Sequence, residues 1–231
     1  MFGKDIFSRY HIIMRFDIIT IFPEIITTYI NESILKRARQ KKIIQINVHN
    51  PRVNTQDKHR TVDDRPYGGG PGMILKFLPI YKTLQKIRKS KQTRIIMLTP
   101  GGKQYTQRDA ERLSKYKQLI LLAGRYEGFD ARLDKFVDEK ISVGPYVLSG
   151  GELPALILVE SIARLKPGVL GDRASIIDET YRKDLNYVEY PQYTRPETVV
   201  IKGQKLSVPK ILLSGNHQDI KNWRQKKAKK R

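Results

Sequence analysis

The chain has 231 residues, of which 39% are hydrophobic, and its 44 Lys and Arg against 23 Asp and Glu give a net charge of +21 at pH 7. That length allows one large domain or one domain with an appendage, the apolar share excludes wholesale disorder, and the charge asks for an acidic partner, most commonly nucleic acid. Absence of cysteine excludes a disulfide framework and a thiolate zinc site, and no apolar run reaches the ~18 residues a helical membrane span requires.

The N-terminus is broken by charges every few residues and lacks a small-residue cleavage site, so no signal peptide is expected, and the absence of cysteine fits a reducing, cytoplasmic setting. "RFDIITIF" (15–22) reads as a buried strand, and Pro23 suits the first turn of a helix running through "PEIITTYINESILKRARQKK". In "IIQINV" (43–48), Ile44, Ile46 and Val48 alternate with polar residues, a half-buried strand. Asn50 to Gly72 has no periodicity, and a loop of that length is functional or mobile.

Next come a helix over "PIYKTLQKIRKSK", a strand at "TRIIMLT" (93–99) and a helix over "TQRDAERLSKYK", opened by Thr106 with Asp109 three residues on, close to a capping box. "QLILLAG" (118–124) is apolar throughout, as in parallel strands covered on both faces. A short helix near "FDARLDKFV", a strand at "DEKISV" and an almost wholly apolar helix, "GELPALILVESIARL", follow. Alternation of this kind predicts an α/β fold with a mainly parallel sheet. Beyond Pro167 the chain is polar, turn-rich and dotted with Tyr, which reads as a linker to a small basic helical domain ending in "NHQDIKNWRQKKAKKR".

Three predicted strand ends carry glycine-rich loops, "LTPGG" (98–102), "LAGRYEG" (122–128) and "SVGPYVLSGGELP" (142–154), and ligands of open α/β sheets sit where such loops converge. No Lys-Ser/Thr follows the glycines, so a triphosphate site is not expected, and no metal cage of acids is evident. A backbone-lined pocket suits an adenine and a cationic or zwitterionic group. His11, His49, His59 and His217 are not paired at ligand spacing. The loop "DDRPYGGGPGM" (63–73) joins charge to backbone freedom without matching a phosphate-loop pattern.

"HRTVDDRPYGGGPGM", "GRYEGFDARL", "YVLSGGELPA" and "PGVLGD…YTRPE…VPKILLSGNH" closely resemble the bacterial tRNA (guanine-N1)-methyltransferase family, from about Arg15 to Trp223. The resemblance implies a deep trefoil knot within the parallel sheet, S-adenosyl-L-methionine as methyl donor, and a homodimer whose active site is shared between subunits. The target is the guanine just 3′ of the anticodon. The implied organisation is an extension over 1–14, a knotted cofactor-binding domain over 15–170, a flexible linker over 171–190 and a basic tRNA-binding domain over 191–231.

Carried over by position, the cofactor pocket would be lined by Leu98, Thr99 and Pro100, by Gly124, Tyr126 and Glu127, and by Val143, Gly144, Tyr146, Val147, Leu148, Gly150, Gly151 and Pro154. His59, Asp63, Arg65, Tyr67, Gly72, Ser175, Tyr193, Arg195 and His217 would face tRNA. Guanine N1 carries a proton at neutral pH, so methylation needs a base, and the charge arising on O6 needs a partner. Arg164 aligns with the family's supporting arginine, against the alternative of a helix-surface pair with Glu160. For the base, alignment gives Glu179, with the neighbouring Asp178 as the alternative. Glu127 could instead satisfy Arg125 or Arg132. Asp63 and Asp64 would position His59 or Arg65, or draw in the Mg2+ the family is held to require.

Three features depart from the family pattern. Residues precede its usual start, so either Met14 initiates or the extension is disordered; Pro145 replaces a common aspartate; and the chain stops soon after Trp223. The competing readings are a knotted methyltransferase acting on a ribose 2′-oxygen, an RNA-binding protein without catalysis, and a nucleotide-binding regulator.

Overall fold

The computed structural model describes residues 14–171, 179–181 and 184–230. Asp178, Ser175 and all but the last residue of the expected extension lie outside them. The chain divides into two compact units, Met1–Gly171 and Asp172–Arg231, and each is described by itself.

The first unit is built on a five-stranded sheet: β1 (Met14–Ile19), β2 (Ile44–His49), β5 (Thr93–Gln104), β6 (Gln118–Ala123) and β7 (Glu139–Ser142). The order is β2-β1-β6-β5-β7 and every pairing is parallel. All six residues of β6 are buried. Leu119, Leu121 and Ala123 join the core on one face, and Ile120 and Leu122 the core on the other. The first core packs against α1 (Pro23–Ile30), α2 (Ser33–Gln40), α4 (Gln107–Leu113) and α5 (Glu152–Ala163); the second packs against α3 (Phe77–Lys86). A central strand sandwiched this way has no polar face, which is why its sequence shows no alternation.

Local differences from the sequence expectations have physical causes. The first helix is two helices, because the chain turns at Asn31–Ser33, where Ser33 adopts φ +47° and the Asn31 side chain accepts a 2.6 Å bond from Arg39. The long loop holds a 3-10 turn (Pro51–Asn54) and a two-residue strand, β3 (Asp63–Asp64), paired with β4 (Ile74–Leu75). The helix at Thr106 does open with a complete capping box to Asp109.

"LTPGG" is not a free loop. β5 continues to Gln104, and both Leu98 and Lys103 pair with Ile141, so Thr99–Gly102 bulges from the ladder. Gly102 permits this, since a Cβ there would fall 2.6 Å from the Ile141 nitrogen.

The second unit, read as helical in the sequence, also carries strands. β9 (Thr198–Ile201) and β10 (Gln204–Ser207) form an antiparallel hairpin, and α6 (His217–Lys227) leads to β11 (Lys229–Lys230), which pairs with β8 (Tyr187–Val188). The Asn216 side chain caps α6 by accepting from the Gln218 and Asp219 amides.

Candidate active site

A cavity of about 350 Å³ opens at the bulge of β5 and the carboxyl ends of β6 and β7. That volume lies at the lower end of small-molecule sites. The β5 bulge contributes Leu98, Thr99 and Pro100; the loop after β6 contributes Gly124, Tyr126 and Glu127. The segment from β7 to α5 adds Val143, Gly144, Tyr146, Val147, Leu148, Gly150, Gly151 and Pro154. The fourteen residues named from the sequence thus share one wall system. Met97, Arg125, Phe129, Asp134, Lys140 and Ser142 also line it and were not singled out.

The last two loops are locked together. The Gly151 amide donates to the Gly124 carbonyl at 2.7 Å, and Arg125 and Gly150 form a β-bridge. A Cβ on Gly151 would lie 2.7 Å from Ala123 Cα, so only glycine lets the backbones approach this closely. Behind them Arg125 Nε meets Glu152 Oε2 at 2.9 Å, while Glu152 Oε1 accepts the Thr20 hydroxyl at 2.6 Å. Glu152 is only 1% exposed, and its neighbouring groups supply the hydrogen bonds a buried carboxylate needs. The Arg125 guanidinium also lies over the Phe22 ring, 4.6 Å from its centroid.

This assignment bears on Glu127. Arg125 is taken by Glu152 and Arg132 by Asp130 at 2.6 Å, so neither pairs with Glu127 as the sequence allowed. Asp134 and Lys140, on the cavity wall, neutralise each other at 2.6 Å. Among the described residues, Glu127 is a cavity carboxylate with no ion-pair partner, and it is exposed. It also ties the glycine-rich 63–73 loop to the cavity. The Glu127 amide donates to Met73 O at 3.0 Å, and its Cγ occupies the space a Cβ on Gly72 would need.

That loop holds Arg65, Tyr67 and Gly72 exposed to solvent, with Asp63 partly buried in β3. Asp64 is bound by Lys76 at 3.2 Å and accepts the Arg65 amide, and that amide bond and the Lys76 charge hold its carboxyl below the usual range. His59 is exposed earlier in the same connection. Arg164 follows α5 directly, its amide bonded to Glu160 O at 3.1 Å; the Glu160 carboxylate accepts the Tyr29 hydroxyl.

In the second unit Glu179 is half-buried. Tyr193 and Arg195 line a groove of about 820 Å³ with Trp223 and Arg224. The Tyr193 and Trp223 rings are 6.3 Å apart, Arg224 lies 4.9 Å over the Tyr190 ring, and His217 is exposed at the start of α6. Aromatic faces interleaved with arginine suit stacked bases and phosphates.

Sequence reasoning missed Glu152 and Thr20. An acid in the first turn of a helix ordinarily complements the helix dipole, and that common role hid the specific one. Chemically, the cavity offers main-chain polar groups, apolar walls, two self-neutralised ion pairs and one open carboxylate. It can hold a flat apolar ring and a cationic group, and the lining cations Arg125 and Lys140, which a polyphosphate would need, are each paired with a carboxylate.

A family model described as tRNA (Guanine-1)-methyltransferase TrmD matches residues 14–231. Three curated relatives bear the name tRNA (guanine-N(1)-)-methyltransferase. The one from Dictyoglomus turgidum is 48% identical, covering 94% of this chain and 86% of its own length. Those from Geobacillus kaustophilus and Clostridioides difficile are each 47% identical; they cover 94% and 93% of this chain and 88% and 92% of their own.

Proposed function

Since the chain belongs to the tRNA (guanine-1)-methyltransferase family, we propose that it methylates N1 of the guanine immediately 3′ of the anticodon in tRNA, using S-adenosyl-L-methionine. The observation that carries this reading is the glycine-lined cavity, with its main-chain walls and the single open carboxylate of Glu127. Bound there, the cofactor would supply an activated methyl on a good leaving group. The β5 bulge and the Gly144–Gly151 segment would cradle its adenosine through backbone groups, and Glu127 would face its cationic part or the edge of the incoming guanine.

In the same reading Glu179, or Asp178 beside it, takes the proton from N1. Arg164 holds the charge that develops on O6, and the charge-assisted bond gains strength as the negative charge grows. The 63–73 loop, with His59, Asp63, Arg65 and Tyr67, would hold the target nucleoside. Ser175, Tyr193, Arg195 and His217 would serve the rest of the tRNA. Mg2+, where the reaction uses it, would be drawn in by Asp63 and Asp64 or arrive on the RNA.

Two further elements belong to this proposal. The knot belongs to this reading through the family, and in this chain the segment after β7 runs back against the end of β6, with Gly151 bonded to Gly124. A homodimer is supported by Ile25 and Tyr29 on α1 and Leu153 and Ile157 on the adjoining α5, apolar side chains 37–57% exposed. No described helix is long and apolar enough to cross a membrane. A tRNA substrate would place the reaction in the cytoplasm.

The test is transfer of labelled methyl from S-adenosylmethionine to two tRNA transcripts, with guanine or adenine 3′ of the anticodon. Label in the guanine transcript alone is expected. Label in neither, with the cofactor bound, would leave an RNA-binding protein without catalysis.

A further inference from the structure

A parallel sheet sorts its connections by chain direction. The cavity takes the carboxyl end, and the turns entering β2, β5 and β6 all fall at the amino end, which the six residues of β6 set about 20 Å away. Hydrogen bonds hold those turns side by side. Met14 N–H donates to Ile43 O at 3.3 Å, Arg15 N–H to Lys117 O at 2.9 Å, and Lys117 N–H to Gln92 O at 3.1 Å. Ser90 N–H donates to Gln118 Oε1 at 2.9 Å, and the Arg15 guanidinium reaches Arg88 O.

The joined turns carry Lys41, Lys42, Arg88, Lys89, Lys91, Lys115 and Lys117, all exposed, and neither Asp nor Glu occurs within 41–43, 87–92 or 114–117. Among the described residues, the acids flanking these turns are already committed, Glu111 to Arg108 at 2.8 Å. Asp138 and Glu139 face Arg94 at 3.8 and 3.0 Å, Arg112 meets Glu139 at 2.8 Å, and buried Asp17 is held by Arg15, Asn47, His49 and Gln118. Among the described residues no carboxylate pairs with any of the seven cations. Helix dipoles account for only part of the cluster: Lys41, Arg88 and Lys115 lie at or next to the C-caps of α2, α3 and α4, whereas Lys89, Lys91 and Lys117 lie further along the turns.

We propose that this edge is a second, sequence-independent binding surface for the phosphate backbone of RNA, separate from the cavity. Charge complementarity selects a polyanion, and an anionic membrane is disfavoured because no large apolar side chain is exposed among the turns. The choice of RNA over DNA rests on the reading of the chain as a tRNA methyltransferase.

The experiment compares the full chain with a variant carrying K89Q, K91Q, K115Q and K117Q, measuring tRNA affinity across a salt series. Each lost phosphate contact should reduce the slope of log K against log salt by about 0.7–0.9, so a fall of about two or more is expected. Binding at low salt should weaken tenfold or more, and methyl transfer to a short anticodon stem-loop should be unchanged. A second variant with arginine at the same four positions should restore the slope, which separates lost charge from lost folding. An unchanged slope overturns the proposal. So does a loss seen only with phosphatidylserine vesicles, which would make the edge a membrane contact, or equal competition by duplex DNA. If methyl transfer fails in the parent chain while the slope still falls, the surface stands and the catalytic reading is what fails.

Discussion

Arg125 Nε sits 2.9 Å from Glu152 Oε2, and this one contact joins two of the three loops that wall the cavity. The other carboxylate oxygen takes the Thr20 hydroxyl, which in turn accepts the Phe22 amide at 3.0 Å, so the end of β1 is part of the same unit. Glu152→Ala should cost about 2–3 kcal/mol, because a charged hydrogen bond is lost and Thr20 keeps a buried hydroxyl without its acceptor. Thr20→Val should cost about 1 kcal/mol. Denaturant unfolding of both variants and the double mutant measures this; strict additivity would show that Glu152 and Thr20 do not act together.

Gly151→Ala should abolish S-adenosylmethionine binding in calorimetry, because its Cβ would meet the backbone of Ala123 and Gly124 at 2.7 and 2.8 Å. Gly101→Ala supplies the contrast: nothing lies within 4 Å of its Cβ, and cofactor affinity should stay within twofold of the parent.

Asp17 predicts an acid-side loss of stability. Burial pushes its carboxyl up, but bonds from His49, Asn47 and Gln118 and the Arg15 charge outweigh burial and hold it below the usual range. A depressed folded value means the contribution is complete above the unfolded carboxylate range near pH 4 and is lost as pH falls through the folded value. The stability gap between the parent and Asp17→Asn should therefore be constant from about pH 6 to 8 and narrow below about pH 4. Urea titrations at stepped pH would show it, and a gap that widened toward acid would refute the assignment.

Glu179→Gln should abolish methyl transfer while S-adenosylmethionine still binds. Full activity in that variant moves the base to Asp178. Arg164→Ala should lower kcat by about 10²–10³ with little change in KM, as when a donor to a developing oxyanion is removed; a change in KM alone would argue for ground-state binding.

Much of the first unit could be read from pattern. β2 alternates because one face is polar, β6 does not because both faces are buried, and the Thr106–Asp109 box marks a helix start locally. What escaped depends on partners distant in sequence. β5 runs past its glycines only because β7 offers Ile141 twice, and Arg125 meets Glu152 across 27 positions. The β9–β10 hairpin was missed for another reason. Its strands are almost wholly exposed, so no buried face imposes alternation, and its turn is Lys202–Gly203, with φ of +51° and +77°, in place of the more telling Asn-Gly. The glycine loops were legible because close backbone approach leaves its mark in the residue type itself.

The paired seating of Leu98 and Lys103 opposite Ile141 has a consequence for how this cavity can change over evolutionary time. Thr99–Gly102 lies outside the ladder, so residues can be added or removed there while Leu98 and Lys103 keep Ile141 as their shared partner and Lys103 keeps its 2.7 Å contact with Asp109. The lip of the cavity is therefore free to vary in length as well as composition, and the constraint falls on its anchored ends and on Gly102, whose Cβ would meet Ile141.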